Sequence, residues 1–395
     1  MYLVEQHIIA QGDKRYKILD HICFLSKNLY NYCNFMIRQE FINNHKLLSE
    51  YELTSKLARE KQVDYMALPA QTSQQVVKLL FKNWKSFFKL CKVKNKLNGK
   101  PKLPKYKDKI KGRNIVIFTS QQCKLKNGYI CFPKKANIKP IKTKVDNIKQ
   151  VRIVPKCSCF EIEIVYDKKK QTSKLSDDAY LSIDLGLNNL ITSYDPINNK
   201  SFIVNGRPLK SINQYYNKRK AFLMSCIGNR GTSKRIRKIT LKRECKINDY
   251  MHKASNLVIN YCLNNNIGNV VIGNNKDWKQ KCNMGKRNNQ NFVSIPFEKI
   301  ISMIQYKSEE FGINVIITEE SYTSKVDHFA NEEMCKHEHY LGKRVKRGLF
   351  KSSTGKIVNA DTNGAIGILR KVADEKFKDL IVSRGDVVSP TRLNV

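Results

Sequence analysis

The sequence predicts a multidomain α/β chain, with a helical region, a set of short strands that suggests a small β-barrel, and a longer region mixing strands and helices. Three observations carry this expectation. Apolar residues recur at helical spacing up to about residue 92; short β-rich runs with basic turns fill residues 114–168; and beyond Tyr180 buried-strand patterns end in carboxylates, at Asp184 and at Glu319–Glu320. A chain of 395 residues has room for two or more domains with their own cores.

In order, Leu3–Ala10 reads as a strand. Ile18, Ile22, Leu25, Leu29, Tyr30 and Cys33 then recur at helical spacing, predicting a long amphipathic helix to about Phe41. A shorter helix over 52–61 precedes Leu68-Pro69-Ala70-Gln71, after which Thr72 or Ser73 is expected to cap a helix reaching Lys92. Val76, Leu79, Leu80, Trp84, Phe87 and Phe88 share one face of it, so the aromatic cluster is expected in the core rather than against nucleic-acid bases.

The segment from Lys92 to Arg113 is dense in lysine, Lys96 included, and is broken by Gly99, Pro101 and Pro104, which rule out a continuous helix. A solvated linker is one reading. A nucleic-acid groove is the stronger one, with Lys100, Lys102, Lys105, Lys107 and Arg113 on phosphates and Tyr106 available to stack.

Strands are predicted at 115–118, 129–132, 151–154 and 160–166, with Asn127-Gly128 as a hairpin turn and the N-terminal strand able to join them. Ser173–Asp178 reads as a linker. Next come the strand Tyr180–Ile183 ending at Asp184, returning strands at 189–194 and 201–204, and two basic helices, 209–226 and 233–265, stopped by Gly268. The strand 270–272, a helix over 296–311 and the strand 313–318 follow, and a last helix opens near Gly364. Strands first, then alternating helices and strands with carboxylates at strand ends, is the order of an RNase H-like sheet.

Lysine and arginine number 73 against 34 acidic residues, a net charge of +39 and a pI near 9.8. Such an excess resists compaction unless a polyanion neutralises it, so nucleic acid is the expected partner. A membrane is not expected, because no apolar run approaches the roughly 20 residues of a span and the N-terminus lacks the pattern of a signal peptide. The twelve cysteines include no Cys-x-x-Cys pair and are expected to be reduced, mostly as small core residues.

Two motifs stand out, Asp184-Leu185-Gly186-Leu187-Asn188-Asn189-Leu190 and Asn359-Ala360-Asp361-Thr362-Asn363-Gly364-Ala365. Carboxylates held at the mouths of regular elements are the hard oxygen ligands that divalent-metal phosphodiester chemistry needs. Each also has a plain structural reading, Asp184 closing a turn and Asp361 capping a helix.

These motifs resemble TnpB, the transposon-encoded RNA-guided nuclease family related to Fanzor and to miniature type V CRISPR effectors. The resemblance extends over nearly the whole chain, through Leu68-Pro69-Ala70-Gln71, Gly99–Lys107, Gln150–Lys156, Ile183–Gly186, Glu320–Lys325, Gly342–Leu349 and Asn359–Ala365. It implies a RuvC-like nuclease domain, encoded by a mobile element, that cuts DNA beside a short flanking motif under the direction of a bound guide RNA. Asp184 would be the acid of the first RuvC motif and Asp361 that of the third. The second motif departs from the pattern, with Gly273-Asn274-Asn275 where many relatives carry glutamate. Glu320 is the expected substitute, as in a subgroup with a relocated glutamate, and strand alternation sends Glu319 to the opposite face. On this resemblance Asp184, Glu320 and Asp361 would hold two Mg2+ ions.

The resemblance further implies a β-barrel wedge domain (residues 1–12 and 100–178), a helical recognition domain (13–99) and a nuclease domain (179–325 and 356–376). Residues 326–355 would be an insertion lobe and 377–395 a C-terminal tail. No zinc is expected in the lobe, where His328, Cys335, His337 and His339 match no common zinc spacing and the histidines read as loop residues. Lys343, Arg344, Lys346 and Arg347 would instead meet a DNA or RNA backbone. The partners implied are a guide RNA and double-stranded target DNA, in bacterial cytoplasm or nucleoid, or in the nucleus for a eukaryotic or viral source. Two alternatives remain: a nuclease-inactive RNA-guided DNA-binding repressor, and a transposase of the same fold acting without a guide.

Overall fold

A computed structural model describes residues 1–94, 99–171, 174–228, 231–275, 285–384 and 389–395. Lys96 and Ser173 lie outside the described residues. The chain divides into two compact units, Met1–Lys168 and Lys169–Val395.

In the first unit, strand β1 (Tyr2–Ala10) is followed by helices α1 (Tyr16–Asn44), α2 (Glu50–Arg59), α3 (Val63–Ala67) and α4 (Ala70–Lys92). Helix α2 begins with a capping box, Ser49 with Glu52. Helix α4 starts earlier than expected, with Pro69 at the cap position. Thr72 and Ser73 are buried inside it, and the Ser73 hydroxyl donates to the Tyr65 carbonyl at 2.7 Å. The α4 stripe packs on α1. Trp84 is fully buried among Phe41, Phe87 and Phe88, and its ring N–H donates to Asn34 Oδ1 at 3.2 Å.

Strands β2 (Val116–Thr119), β3 (Lys124–Lys126), β4 (Tyr129–Cys131), β5 (Ile141–Lys142), β6 (Ile148–Pro155) and β7 (Cys159–Asp167) complete the unit. The expected barrel is, in its hydrogen bonding, an open four-stranded sheet, β1-β7-β6-β2, accompanied by a separate three-stranded sheet, β3-β4-β5. The N-terminal strand does join, antiparallel to β7. Asn127 and Gly128, at φ 48° and 74°, make the β3–β4 hairpin turn, the backbone that an Asn-Gly pair tolerates best.

From Pro104 to Lys109 the basic run is not a solvated linker. Its carbonyl groups satisfy a polar stripe on α1: Lys27 Nζ donates to the Lys109 carbonyl at 2.7 Å, Asn31 Nδ2 to Lys107 at 2.9 Å and Asn34 Nδ2 to Pro104 at 2.9 Å. These positions recur along one helix face, so an extended strip of backbone can lie on them.

In the second unit the sheet order is β12-β11-β8-β9-β10-β16. Its strands are β8 (Ser176–Asp184), β9 (Asn189–Tyr194), β10 (Phe202–Asn205), β11 (Ile267–Gly273), β12 (Asn314–Thr318) and β16 (Thr391–Leu393). Strand β8 starts at Ser176, inside the expected linker. Strands β8, β11 and β12 run parallel, which puts their C-terminal ends side by side. Helices α5 (Arg207–Ser225), α6 (Lys234–Asn264), α7 (Lys286–Ser294) and α8 (Phe297–Phe311) cover one face through a core containing Leu181, Ile183, Val270 and Ile272. Helix α6 is ended by Asn265 and by Asn266 at φ 55°, not by Gly268. Gly268 belongs to β11, where a Cβ would meet the Ser176 carbonyl oxygen at 2.5 Å.

Helix α9 (Ala360–Ser383) covers the opposite face, with a kink at Ala373. The strands β13 (Lys343–Lys346), β14 (Leu349–Lys351) and β15 (Ile357–Asn359) form the lobe's antiparallel sheet. Buried Asp327 ties the lobe's ends together: its carboxylate accepts from the Phe329 and Ala330 amides and from Ser352 and Ser353. His328 is no loop residue. It is fully buried, its Nε2 2.8 Å from the Thr323 carbonyl oxygen and its Nδ1 3.2 Å from the buried Arg370 guanidinium. The expected tail, 377–395, contains the end of α9, to Ser383, and the edge strand β16, which pairs with β10.

Two stability predictions follow from this packing. Trp84→Ala removes a fully buried indole and strands Asn34, and should cost roughly 3–5 kcal/mol in chemical denaturation. Burial holds the His328 pKa down to about 4, from its ordinary 6.5. The unfolded chain therefore binds a proton that the native chain refuses between those values, and stability should fall by roughly 3 kcal/mol as pH drops from 6.5 to 4. Denaturation of His328→Gln beside the parent at each pH isolates this slope, which the variant should lack.

Candidate active site

Strand alternation selects which side chains reach the α9 face. Leu181 and Ile183 belong to the core under α5–α8, so Tyr180, Ser182 and Asp184 point the other way, and Tyr180 packs edge-on against Phe377 of α9. Val270 and Ile272 of β11 are likewise committed to that core, which turns Gly273 toward α9. Register puts Ile183 beside Ile272 and Gly273 beside Thr318, so Asp184, Gly273 and the residues after Thr318 end the three parallel strands together.

Glu320 fills the space that Gly273 leaves. A Cβ on Gly273 would meet Glu320 Oε1 at 2.6 Å, Glu320 Cγ at 2.7 Å and Ile368 Cδ1 of α9 at 2.6 Å. The Glu320 amide donates to Asn275 Oδ1 at 2.9 Å, so the asparagine just past β11 fixes the backbone that carries the acid. Glu319 faces outward, 2.6 Å from Lys371 Nζ, and that ammonium holds its pKa low.

Asp361 is not the helix cap. Asn359 caps α9, its Oδ1 accepting from the Asp361 and Thr362 amides, and Asp361 stands in the first turn. There it benefits from the positive end of the helix dipole. Its Oδ2 accepts from Asn189 Nδ2 at 2.6 Å, and its Oδ1 lies 3.8 Å from the Arg344 guanidinium. Gly364, one turn on, leaves room for Asp184: a Cβ there would meet Asp184 Oδ2 at 2.8 Å.

Burial raises the Asp184 pKa well above the carboxylate range, the Glu320 and Asp361 charges raise it further, and Arg344 opposes them. Burial pushes Glu320 up to about 7. Its Oε1 is buried and finds no hydrogen-bond donor among the described residues. The three carboxylates are electrostatic neighbours rather than a closed cage. Among the described residues no group of three or more His, Cys, Asp and Glu side chains is drawn together tightly enough to hold a metal. Like charges resist that last approach; the chemistry of the donors nonetheless suits a divalent cation, since all are carboxylate oxygens, Asp184 and Glu320 are desolvated, and Glu320 Oε1 has no hydrogen-bond partner among the described residues.

The other expected contacts divide. Lys100, Lys102 and Lys105 are exposed. Lys107 is half-buried over the Tyr30 ring, and burial lowers its pKa. Arg113 pairs with Asp20 at 2.7 Å, and Arg38 stacks on Tyr106. Tyr106, Lys107 and Arg113 thus each have a partner within the fold, and Tyr106 remains exposed. In the lobe Lys343 and Lys346 are exposed on β13, Arg344 reaches Asp361, and Arg347 stands at the β13–β14 turn beside Gly348 at φ 87°. Asn189 and Asn275 had no expected role. The only trace of one is that each belongs to an asparagine pair at a strand boundary, Asn188-Asn189 at the start of β9 and Asn274-Asn275 after β11.

Comparison with known proteins places these features. Residues 163–279, with Asp184, match the family model OrfB_IS605, described as a probable transposase, and residues 297–368, with Glu320 and Asp361, match the Cas12f1-like TNB domain. No curated protein matches the sequence. The fold is similar to that in a structure of a Cas12f1–sgRNA–target DNA complex, with a TM-score of 0.55 at 16% identity over 89% of this chain and 82% of that one. The mini-RNA-guided endonuclease CRISPR-Cas_phi3 gives a TM-score of 0.46 at 12% identity, covering 99% and 93% of the two chains. This is a multidomain mixed α/β fold in which residues 163–279 match the OrfB_IS605 (TnpB) transposase model and residues 297–368 match the Cas12f1-like TNB domain.

Proposed function

We propose that this chain is a metal-dependent DNA endonuclease directed by a bound guide RNA, encoded by a mobile element and cutting beside a short flanking motif. The observation that carries the reading is that Asp184, at the end of β8, has as electrostatic neighbours both Glu320, just past the parallel strand β12, and Asp361, in the first turn of α9. On this reading the six-stranded sheet with α9 is an RNase H-like, RuvC-type domain, and Glu320 replaces the glutamate missing at Gly273. Residues 1–12 and 100–178 serve as the wedge and 13–99 as the recognition region. The similar Cas12f1 is described with sgRNA and target DNA. A chain of net charge +39 suits the same two partners, with pairing reading sequence and the protein supplying the cationic channel.

Asp184, Glu320 and Asp361 would hold the magnesium ions, two in number on this reading, which supply charge neutralisation at the phosphate and acidify the attacking water. The chain's own residues supply the geometry. Asn275 fixes the Glu320 backbone, Asn189 orients Asp361, and Arg344 offsets the crowded negative charge until substrate arrives. Lys100, Lys102, Lys105, Lys343, Lys346 and Arg347 offer exposed cations to nucleic-acid backbones.

The reading predicts that the purified ribonucleoprotein cuts a guide-matched duplex in Mg2+, and that Asp184→Ala lowers the rate at least a hundredfold while duplex binding persists. Binding with no cutting by the parent would instead favour the repressor, and purification without any RNA the guide-free transposase. A second prediction tests the unusual glutamate. Gly273→Ala drives a methyl into Glu320 and Ile368 and should cost at least tenfold in cutting, and Glu320→Gln should cost as much without the clash. Full activity in both variants would remove Glu320 from the mechanism.

A further inference from the structure

Beside Asp361 lies a cavity of about 380 Å³, within the roughly 300–1,000 Å³ range of ligand sites. Four guanidinium groups line it together with that one carboxylate: Arg207, Arg344, Arg347 and Arg392. Among the described residues only Arg344 has a carboxylate partner, Asp361 itself at 3.8 Å. The choice of arginine is informative. Lysines outnumber arginines 56 to 17 in this chain, so four arginines and no lysine around one cavity is not what a generally basic surface supplies. Arginine's planar fork matches two phosphate oxygens at once, whereas lysine offers a point charge.

Each arginine comes from a pinned piece of backbone. Arg207 opens α5, and the Gly206 amide before it donates to the Asn188 carbonyl at 2.7 Å. Gly206 has to be glycine for that approach, since a Cβ would meet the Leu187 carbonyl oxygen at 2.4 Å. Arg344 and Arg347 ride the β13–β14 hairpin, whose tip is held where the Ala360 amide donates to the Gly348 carbonyl at 3.0 Å. Arg392 lies on β16, which runs parallel to β10 with Arg392 beside Ile203, and Leu393 and Val395 pack on the core. With the backbone anchored, only side-chain freedom remains to be lost when an anion binds.

We propose that this cavity seats a phosphodiester of the single DNA strand offered to the carboxylates, and that the C-terminal strand, through Arg392, is a working part of the site. Arg392 lies outside both stretches matched to family models, which end at residue 368. It acts as a positioning residue, holding the strand rather than touching the scissile bond. The inference rests on the nuclease reading for its choice of DNA, and its test is separable from that reading.

The test is arginine footprinting with phenylglyoxal on the full chain loaded with guide RNA, in EDTA, with and without a twelve-nucleotide single-stranded DNA, read by mass spectrometry. Arg207 and Arg392 should react at least threefold more slowly when DNA is present. Protection already complete with guide RNA alone would assign the cavity to RNA and overturn the proposal, as would no protection in either state. Arg392→Ala should weaken oligonucleotide binding three- to tenfold and flatten its salt dependence, with Arg392→Lys intermediate. Unchanged affinity and slope in Arg392→Ala would overturn the role of the C-terminal strand. Cutting by the parent with these arginines unprotected sinks this proposal and leaves the nuclease reading standing; protection without any cutting does the reverse.

Discussion

The second unit depends on holding three carboxylates near one another against their own repulsion and the cost of desolvation. Among the described residues neither Asp184 nor Glu320 has a cation within salt-bridge reach, and Arg344 lies 3.8 Å from Asp361. The arrangement survives because it is attached to rigid parts: the ends of parallel strands, the first turn of a helix whose dipole favours negative charge, and two asparagines that orient acid-bearing groups. Positive charge brought to these acids would relieve their repulsion, and carboxylates with pKa values raised in this way gather at functional sites.

Glycine makes the crowding possible. Gly273 and Gly364 stand where the carboxylates of Glu320 and Asp184 lie against backbone, and Gly367 lets α9 come down on the Thr323 carbonyl and the buried His328. The small-residue character of the first turns of α9 is thus a packing requirement. Bulk at any of these positions would lift the helix or push an acid out. In the same way Asp327, through five hydrogen bonds from both ends of the lobe, does with oxygen what many small lobes do with a metal.

The charge of the chain is used in two different ways. Part of the basic run near residue 107 is spent internally: Lys107 over Tyr30, Arg113 on Asp20, Arg38 on Tyr106. Near Asp361, Arg207, Arg347 and Arg392 have no carboxylate partner among the described residues. A cation's worth for binding therefore depends on whether an aromatic ring or a carboxylate already occupies it, which net charge does not express.

Much of the fold was legible from the residues alone. Helical spacing located α1, α4, α6 and α8; apolar runs located β8, β9, β11 and β12; Asn127-Gly128 located a hairpin; and the two aspartates stood out because each meets an apolar element at its end. These are local signals, decided by residues a few positions apart. What tertiary structure decided was everything that depends on distant neighbours: which of two adjacent glutamates turns inward, why glycine occupies position 273, that His328 is a core residue, and that the last residues of the chain form a strand carrying Arg392. Each is settled by the space another segment leaves open or fills, and contacts between segments distant in the chain leave no periodicity for a sequence to display.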